Sequence, residues 1–140
     1  MNPIPFAWPE YCKNPSDFAK AMVGMPFICI YKRAYRQFRK EQKERGDIDP
    51  AIWASDELEC WIRGIVDDIL VNEMEWVNTR FLPDDPCDIL FFDPTMDLLA
   101  AGALMAIQSR FRIDISITDL SRLTYIQLVE FIRKRSNQCF

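Results

Sequence analysis

The sequence predicts an all-α protein organised as a single domain over residues 1–140, and three observations predict it. Apolar residues recur at spacings of three and four along several long segments, the period of a helix with one buried face. Those segments open on capping residues and close on glycine or basic residues. Glycine is scarce, at 4 residues, and alternating polar/apolar runs are few, which argues against a β-sandwich. With 140 residues, 49% of them hydrophobic, the chain can bury one real core and is too short for two ordinary domains.

Residues 1–15 carry Pro3, Pro5, Pro9 and Pro15 among Phe6, Trp8 and Tyr11. Proline fixes φ and removes backbone donors, so this stretch reads as an extended arm whose aromatic rings gain by lying on the main body. Residues 16–46 form a basic helical segment. Asn14 or Ser16 caps a helix from about Asp17, with Phe18, Ala21, Met22 and Met25 on one face. Pro26 kinks or ends it, because a mid-helix proline costs ~3 kcal/mol. Helix resumes from Phe27 to Arg45 on a stripe of Ile30, Tyr31, Ala34, Tyr35 and Phe38. Its other faces carry Lys32, Arg33, Arg36, Arg39, Lys40, Lys43 and Arg45 against Glu41 and Glu44, and Gly46 stops it.

After a soft boundary at Gly46–Pro50, residues 50–135 read as a helical bundle. Asp49 caps a start with Pro50 at the first helical position. Asp56 and Glu57 suit the positive end of a helix beginning at Ser55. Leu58, Trp61, Ile62, Ile65, Val66, Ile69 and Leu70 make its apolar face, with Trp61 read as a core anchor. Residues 71–94 are a long connection. Trp76, Phe81, Leu82, Ile89, Leu90, Phe91 and Phe92 imply that it is packed, with a very short strand possible at Ile89–Phe92.

Asp93 or Thr95 caps the next helix, in which Leu98, Leu99, Ala101, Leu104, Met105, Ile107 and Phe111 are apolar over much of the circumference. Such a helix is expected at the centre, its small residues Ala100 to Ala103 admitting close neighbours. A turn of helix follows at Thr118–Arg122. Thr124-x-x-Gln127 is a capping box for the last helix, whose inner face is Tyr125, Leu128, Val129 and Ile132. Arg133, Lys134 and Arg135 complement its dipole, and residues 136–140 are expected to fray.

Several chemistries are excluded outright. With 0 histidines there is no Cys–His or Ser–His nucleophilic pair and no imidazole zinc site. Cys12, Cys29, Cys60, Cys87 and Cys139 are scattered without a C-x-x-C pair, and read as free thiols of a reducing cytosol. There is no glycine-rich phosphate loop. The opening residues MNPIPFAWPEY lack a basic region followed by an apolar run, so no signal peptide is expected, and the longest apolar stretch, Ala21–Tyr31, is too short to span a bilayer. Asp84, Asp85, Asp88, Asp93 and Asp97 are oxygen donors in sequence but lack EF-hand spacing, so they read as caps and an acidic rim rather than a metal site. No enzyme is expected.

From about Leu58 to Ile132, the order of long helix, long loop, central helix, short turn and last helix resembles the acyl carrier proteins. Phe111, the Ile113/Ile115 pair, Asp119-Leu120 and Thr124 stand at the matching positions of MDLLAAGALMAIQSRFRIDIS and LSRLTYIQLVEFI. The resemblance implies a four-helix bundle, here with an extra N-terminal helical segment. Counting back from Phe111, Asp97 stands where a carrier has the serine that bears phosphopantetheine. A carboxylate cannot form that phosphodiester, and the nearby hydroxyl of Thr95 reads as a cap. The resemblance therefore implies carrier shape without cofactor.

The expected function is that of a cytoplasmic, non-enzymatic adaptor or accessory subunit that acts through a protein partner. Its expected interaction surface is Arg36, Arg39, Lys40, Asp84, Asp85 and Asp88. The alternative is a binder of nucleic acid or an anionic membrane surface through the basic helix 32–45. The net charge of −4 argues against that alternative.

Overall fold

Apolar periodicity in this chain produces a mainly helical fold in the residues that the computed structural model describes: 3–9, 12, 27–93 and 98–136, with the side chains of 27–31 and 98 outside the description. The expected helix over Phe18–Met25, the effect of Pro26, the side chain of Cys29, Cys139 with the rest of 137–140, and the carrier position Asp97 with Thr95 fall outside the description. The described chain runs as α1 (Phe27–Glu44), a 3-10 turn (Pro50–Trp53), α2 (Glu57–Glu73), α3 (Cys87–Leu90), α4 (Leu98–Phe111), α5 (Ile117–Ser121) and α6 (Tyr125–Arg135). No strand occurs among the described residues; one isolated bridge joins Pro86 to Thr124.

Ala34, Phe38, Gln42 and Arg45, spaced by three and four, form the buried face of α1 and its exit. The apolar stripe thus continues into two polar residues. Asp49 then accepts a hydrogen bond from the Ala51 amide at 3.0 Å, as its capping position predicts. This start yields only the 3-10 turn, because Ala54 adopts a left-handed conformation (φ 44°) and breaks the chain direction. Asp56 caps α2 in its place, accepting from the Glu59 amide at 2.9 Å.

Helix α2 buries Ile62, Ile65, Val66, Ile69 and Leu70, and packs against both α4 and α6. Trp61 departs from the expected core role: it is 50% exposed and touches Phe111 by its edge, at 6.2 Å between ring centroids. The loop after α2 is packed, as its aromatics imply. Trp76 donates from Nε1 to the Leu90 carbonyl at 2.9 Å and lies against Phe6 and Phe81.

The short strand considered at Ile89–Phe92 is instead helical from Cys87 to Leu90. Pro86 turns the chain, its carbonyl accepts from the Leu90 amide at 3.1 Å, and no neighbouring strand offers a ladder. Helix α4 is also less central than expected. Ala100, Ala103, Ile107 and Phe111 are buried, whereas Ala101 and Met105 face outward.

The link after α4 turns at Arg112, another left-handed residue (φ 53°), and then buries Ile113 and Ile115. Ser116 and Asp119 form a capping box on α5, and Thr124 and Gln127 form the expected one on α6. Phe6 of the arm, Ala34 and Phe38 of α1 and the inner faces of α2, α4 and α6 share one apolar core. The described part of the arm and α1 are therefore built into the body.

Candidate functional site

The six residues expected to form an interaction surface separate into two groups of three. Arg36, Lys40 and Asp84 are exposed. Arg39 turns inward, its guanidinium carbon 3.6 Å from the Trp76 ring centroid and 4.0 Å from that of Tyr35. Its Nη2 donates to the Met74 carbonyl at 2.5 Å. Burial lowers its pKa to about 10, against the opposing influence of Tyr35, Glu75 and Asp93. Asp88 is half-buried and accepts from Trp8 Nε1 at 2.9 Å. Asp85 is completely buried.

Asp85 is the centre of a clamp. Arg45 donates from Nη2 to Oδ1 and from Nη1 to Oδ2, both at 2.7 Å, in the two-pronged geometry that a planar guanidinium makes with a carboxylate. The same arginine donates to the carbonyls of Ile4 and Arg80 at 2.9 Å and lies over the Phe6 ring. Asp85 also accepts from the amides of Phe6 (3.1 Å) and Leu82 (2.7 Å), and its carbonyl accepts from the Tyr125 amide at 2.8 Å. One buried ion pair thus ties together the arm, the end of α1, the long loop and the start of α6. Every oxygen is engaged, so this arrangement holds segments in place and offers nothing to a substrate.

The other described carboxylates of the acidic run stand apart from one another, and Asp88 keeps a buried Oδ1 without a hydrogen-bond partner among the described residues. Asp93 accepts from the Leu99 amide at 2.7 Å at the entry to α4, and Asp84 points to solvent. Among the described residues, no three histidine, cysteine, aspartate or glutamate side chains converge as a metal site. Cys12, Cys60 and Cys87 are free thiols, and burial pushes the Cys87 thiol well above its ordinary range.

Beside an open groove of about 440 Å³ where the arm meets the end of α1, lined by Ile4, Pro5, Glu41, Glu44 and Arg45, two concave features bear on function. The first is an open groove of about 330 Å³ between α2 and α4, lined by Asp68, Asn72, Glu73, Ala106, Ser109 and Arg110. Trp61 lies two turns before Asp68 along the same stripe of α2, and Met105, 66% exposed, one turn before Ser109 on α4. The second is a cleft of about 140 Å³ among the 3-10 turn, α2 and the long loop, lined by Trp53, Arg63, Asp67, Thr79 and Phe81.

At the second feature, the buried Tyr125 hydroxyl donates to Asp67 Oδ1 at 2.5 Å and contacts the Arg63 carbonyl oxygen at 3.1 Å. Desolvation raises the Asp67 pKa to about 6, against the opposing pull of the Tyr125 hydroxyl and the Arg63 charge. The Arg63 guanidinium lies 4.7 Å from the Trp53 ring centroid, and its Nη1 is buried without a hydrogen-bond partner.

Comparison of the chain with protein-family models, curated proteins and solved structures finds no match.

The functional reading therefore rests on residues and geometry. Sequence reasoning placed Arg45 among the basic residues of the outer helix faces, passed over Arg63 and Asp67, and read Trp61 as a core anchor. A signal existed for the three charged residues. Arg45 continues the i, i+4, i+3 progression from Phe38 through Gln42, and Arg63 and Asp67 are spaced i, i+4 on the flank of the α2 stripe. Among the described residues, no helix is long and apolar enough to cross a membrane.

Proposed function

We propose that the chain is a non-enzymatic protein of carrier-like architecture, an adaptor or accessory subunit, which engages a protein partner through its α2–α4 face. The carrying observation is the half-exposed Trp61 and the exposed Met105 on the same two helices that line the groove. Tryptophan and methionine are enriched at protein interfaces, and a tryptophan at the edge of a groove is a typical anchor. The order α2, long loop, α4, short α5, α6, with Phe111, Ile113 and Ile115 buried, supports the carrier-like reading. The aspartate at position 97 supports a role without phosphopantetheine.

Two measurements test this function. Coexpression with a phosphopantetheinyl transferase is expected to leave the intact mass unchanged; a prosthetic-group increment overturns the reading. Affinity purification from the native cell is expected to recover a stoichiometric protein that is lost from a chain carrying Trp61→Ala and Met105→Ala. Equal recovery with both chains refutes the proposed face.

A second reading is favoured by the exposed Lys32, Arg36, Lys40 and Lys43 of α1, which give an otherwise acidic chain one basic face. It takes this face as a binder of nucleic acid or anionic lipid. Salt-dependent retention on RNA, DNA or anionic vesicles, abolished by Arg36→Glu with Lys40→Glu, is its signature.

A further inference from the structure

The cleft beside Tyr125 is built differently from the α2–α4 groove and faces another side of α2. Asp67 belongs to the first and its neighbour Asp68 to the second. Three features of the cleft bear on what it takes. Arg63 lines it and retains a buried N–H at Nη1 that no protein atom satisfies. An unpaired buried donor on a cation is costly, which makes it a place where a ligand acceptor gains. Asp67, one turn along α2, uses Oδ1 to accept from the Tyr125 hydroxyl, which fixes the carboxylate; no donor to its Oδ2 is present among the described residues. Trp53 and Phe81, both almost wholly buried, form the apolar wall of the same cleft.

The charges facing this cleft are those of Arg63 and Asp67, with Asp68 close enough to act on Asp67 and the Tyr125 hydroxyl uncharged. Their sum is zero or slightly negative, so neither an isolated anion nor an isolated cation is favoured. A group that presents an acceptor and a donor side by side, flat and without net charge, matches both partners together. A carboxamide has that shape and polarity, its C=O facing an arginine and its N–H facing a carboxylate.

We infer that the cleft formed by Trp53, Arg63, Asp67 and Phe81 is a binding site for a neutral planar amide, such as a glutamine or asparagine side chain or a small free amide. Tyr125 is a positioning residue in this site, since it holds Asp67 rather than meeting the ligand. The inference stands apart from the α2–α4 face: it needs neither Trp61 nor Met105, and loss of the partner proposed there leaves it intact.

The test is a titration of the full ¹⁵N-labelled chain at pH 7.5, following the Trp53 indole N–H and the Arg63 Nε–H. The probes are acetamide and N-acetyl-glutamine methylamide, with acetate and guanidinium as charged controls. Saturable shifts with one or both amides are expected, weakened about tenfold or more by Arg63→Met and by Asp67→Asn. The second variant retains an oxygen for the Tyr125 hydroxyl and so preserves the fold; thermal melts of both variants verify this. Tighter binding of the blocked glutamine assigns the site to a side chain of a partner, and equal or tighter binding of acetamide assigns it to a free amide. Shifts that stay linear to molar amide, that survive both substitutions, or that saturate with acetate but not with acetamide overturn the inference.

Discussion

Replacing Asp85 by alanine removes the acceptor of both Arg45 hydrogen bonds and leaves the Phe6 and Leu82 amides without their partner. Arg45 keeps the carbonyls of Ile4 and Arg80, but its charge remains buried with no counter-charge. Breaking a buried pair by deleting one member costs about 3–5 kcal/mol, and a stranded buried amide about 1–3 kcal/mol. These contributions overlap, because the arm carrying Phe6 can lift and rehydrate its amide. A net loss of about 3–5 kcal/mol is therefore expected, a large fraction of the ~5–15 kcal/mol that stabilises a typical domain.

Urea unfolding followed by tryptophan fluorescence reads this loss as a lower midpoint at unchanged slope. Limited proteolysis reads release of the arm as new cleavage within residues 3–9. The chain carrying both Arg45→Met and Asp85→Leu is expected to recover part of the loss, because the stranded charge is gone. A loss below about 1 kcal/mol for Asp85→Ala, or no recovery in the double variant, refutes the clamp as the tie between arm, α1 and loop.

Asp67 makes stability depend on pH in the direction opposite to a salt-bridged carboxylate. Its folded pKa, about 6, lies above the ordinary 3.8, so the folded chain holds this proton more tightly than the unfolded one. Its contribution falls as pH rises from about 4 to about 6 and is flat above, a difference on the order of 2–3 kcal/mol. Asp67→Asn removes this dependence, so its stability relative to the native chain is expected to be greater at pH 7.5 than at pH 4.5; urea midpoints at the two values that differ by the same amount refute the assignment. Arg112→Gly relieves a left-handed residue at the end of α4 and is expected to raise stability by about 0.5–1 kcal/mol in thermal melts. Trp76→Ala, at a buried ring bonded to Leu90 and stacked on Phe6, is expected to cost about 3–5 kcal/mol. Trp61→Ala, at the half-exposed ring, is expected to cost roughly 1 kcal/mol or less by the same urea assay, a contrast that separates core from surface tryptophan.

The features legible in the residues were those governed by neighbours a few positions away. Thr124 and Gln127 announce their own capping box, Asp49-Pro50 its own turn, and the α2 stripe its own inner face, because each depends on contacts within one or two turns. Ser116 and Asp119 obey the same rule at α5. Local rules failed where two signals competed. The apolar run Ile89–Phe92 suits a buried strand as well as a buried helix, and the absence of a pairing partner decided for helix. Trp61 sits on a strict helical period but at the margin of the stripe, where the position of α4 decides how much of the ring is covered.

By itself, the sequence determined an all-α chain, its main helices and most of their caps, and the absence of histidine chemistry. Tertiary structure alone decided which charges lie inside. Arg39, Arg45, Asp67 and Asp85 read in sequence like any solvated charge, yet Arg45 and Asp85 are removed from water and Arg39 and Asp67 partly so, by residues remote in the chain: Trp76 for Arg39, Asp85 for Arg45 forty positions earlier, Tyr125 for Asp67. The physical reason is one of range. Helix formation is settled by hydrogen bonds four residues apart, whereas the environment of a charge is settled by whatever long-range packing brings against it, and that becomes defined only when the chain has closed on itself.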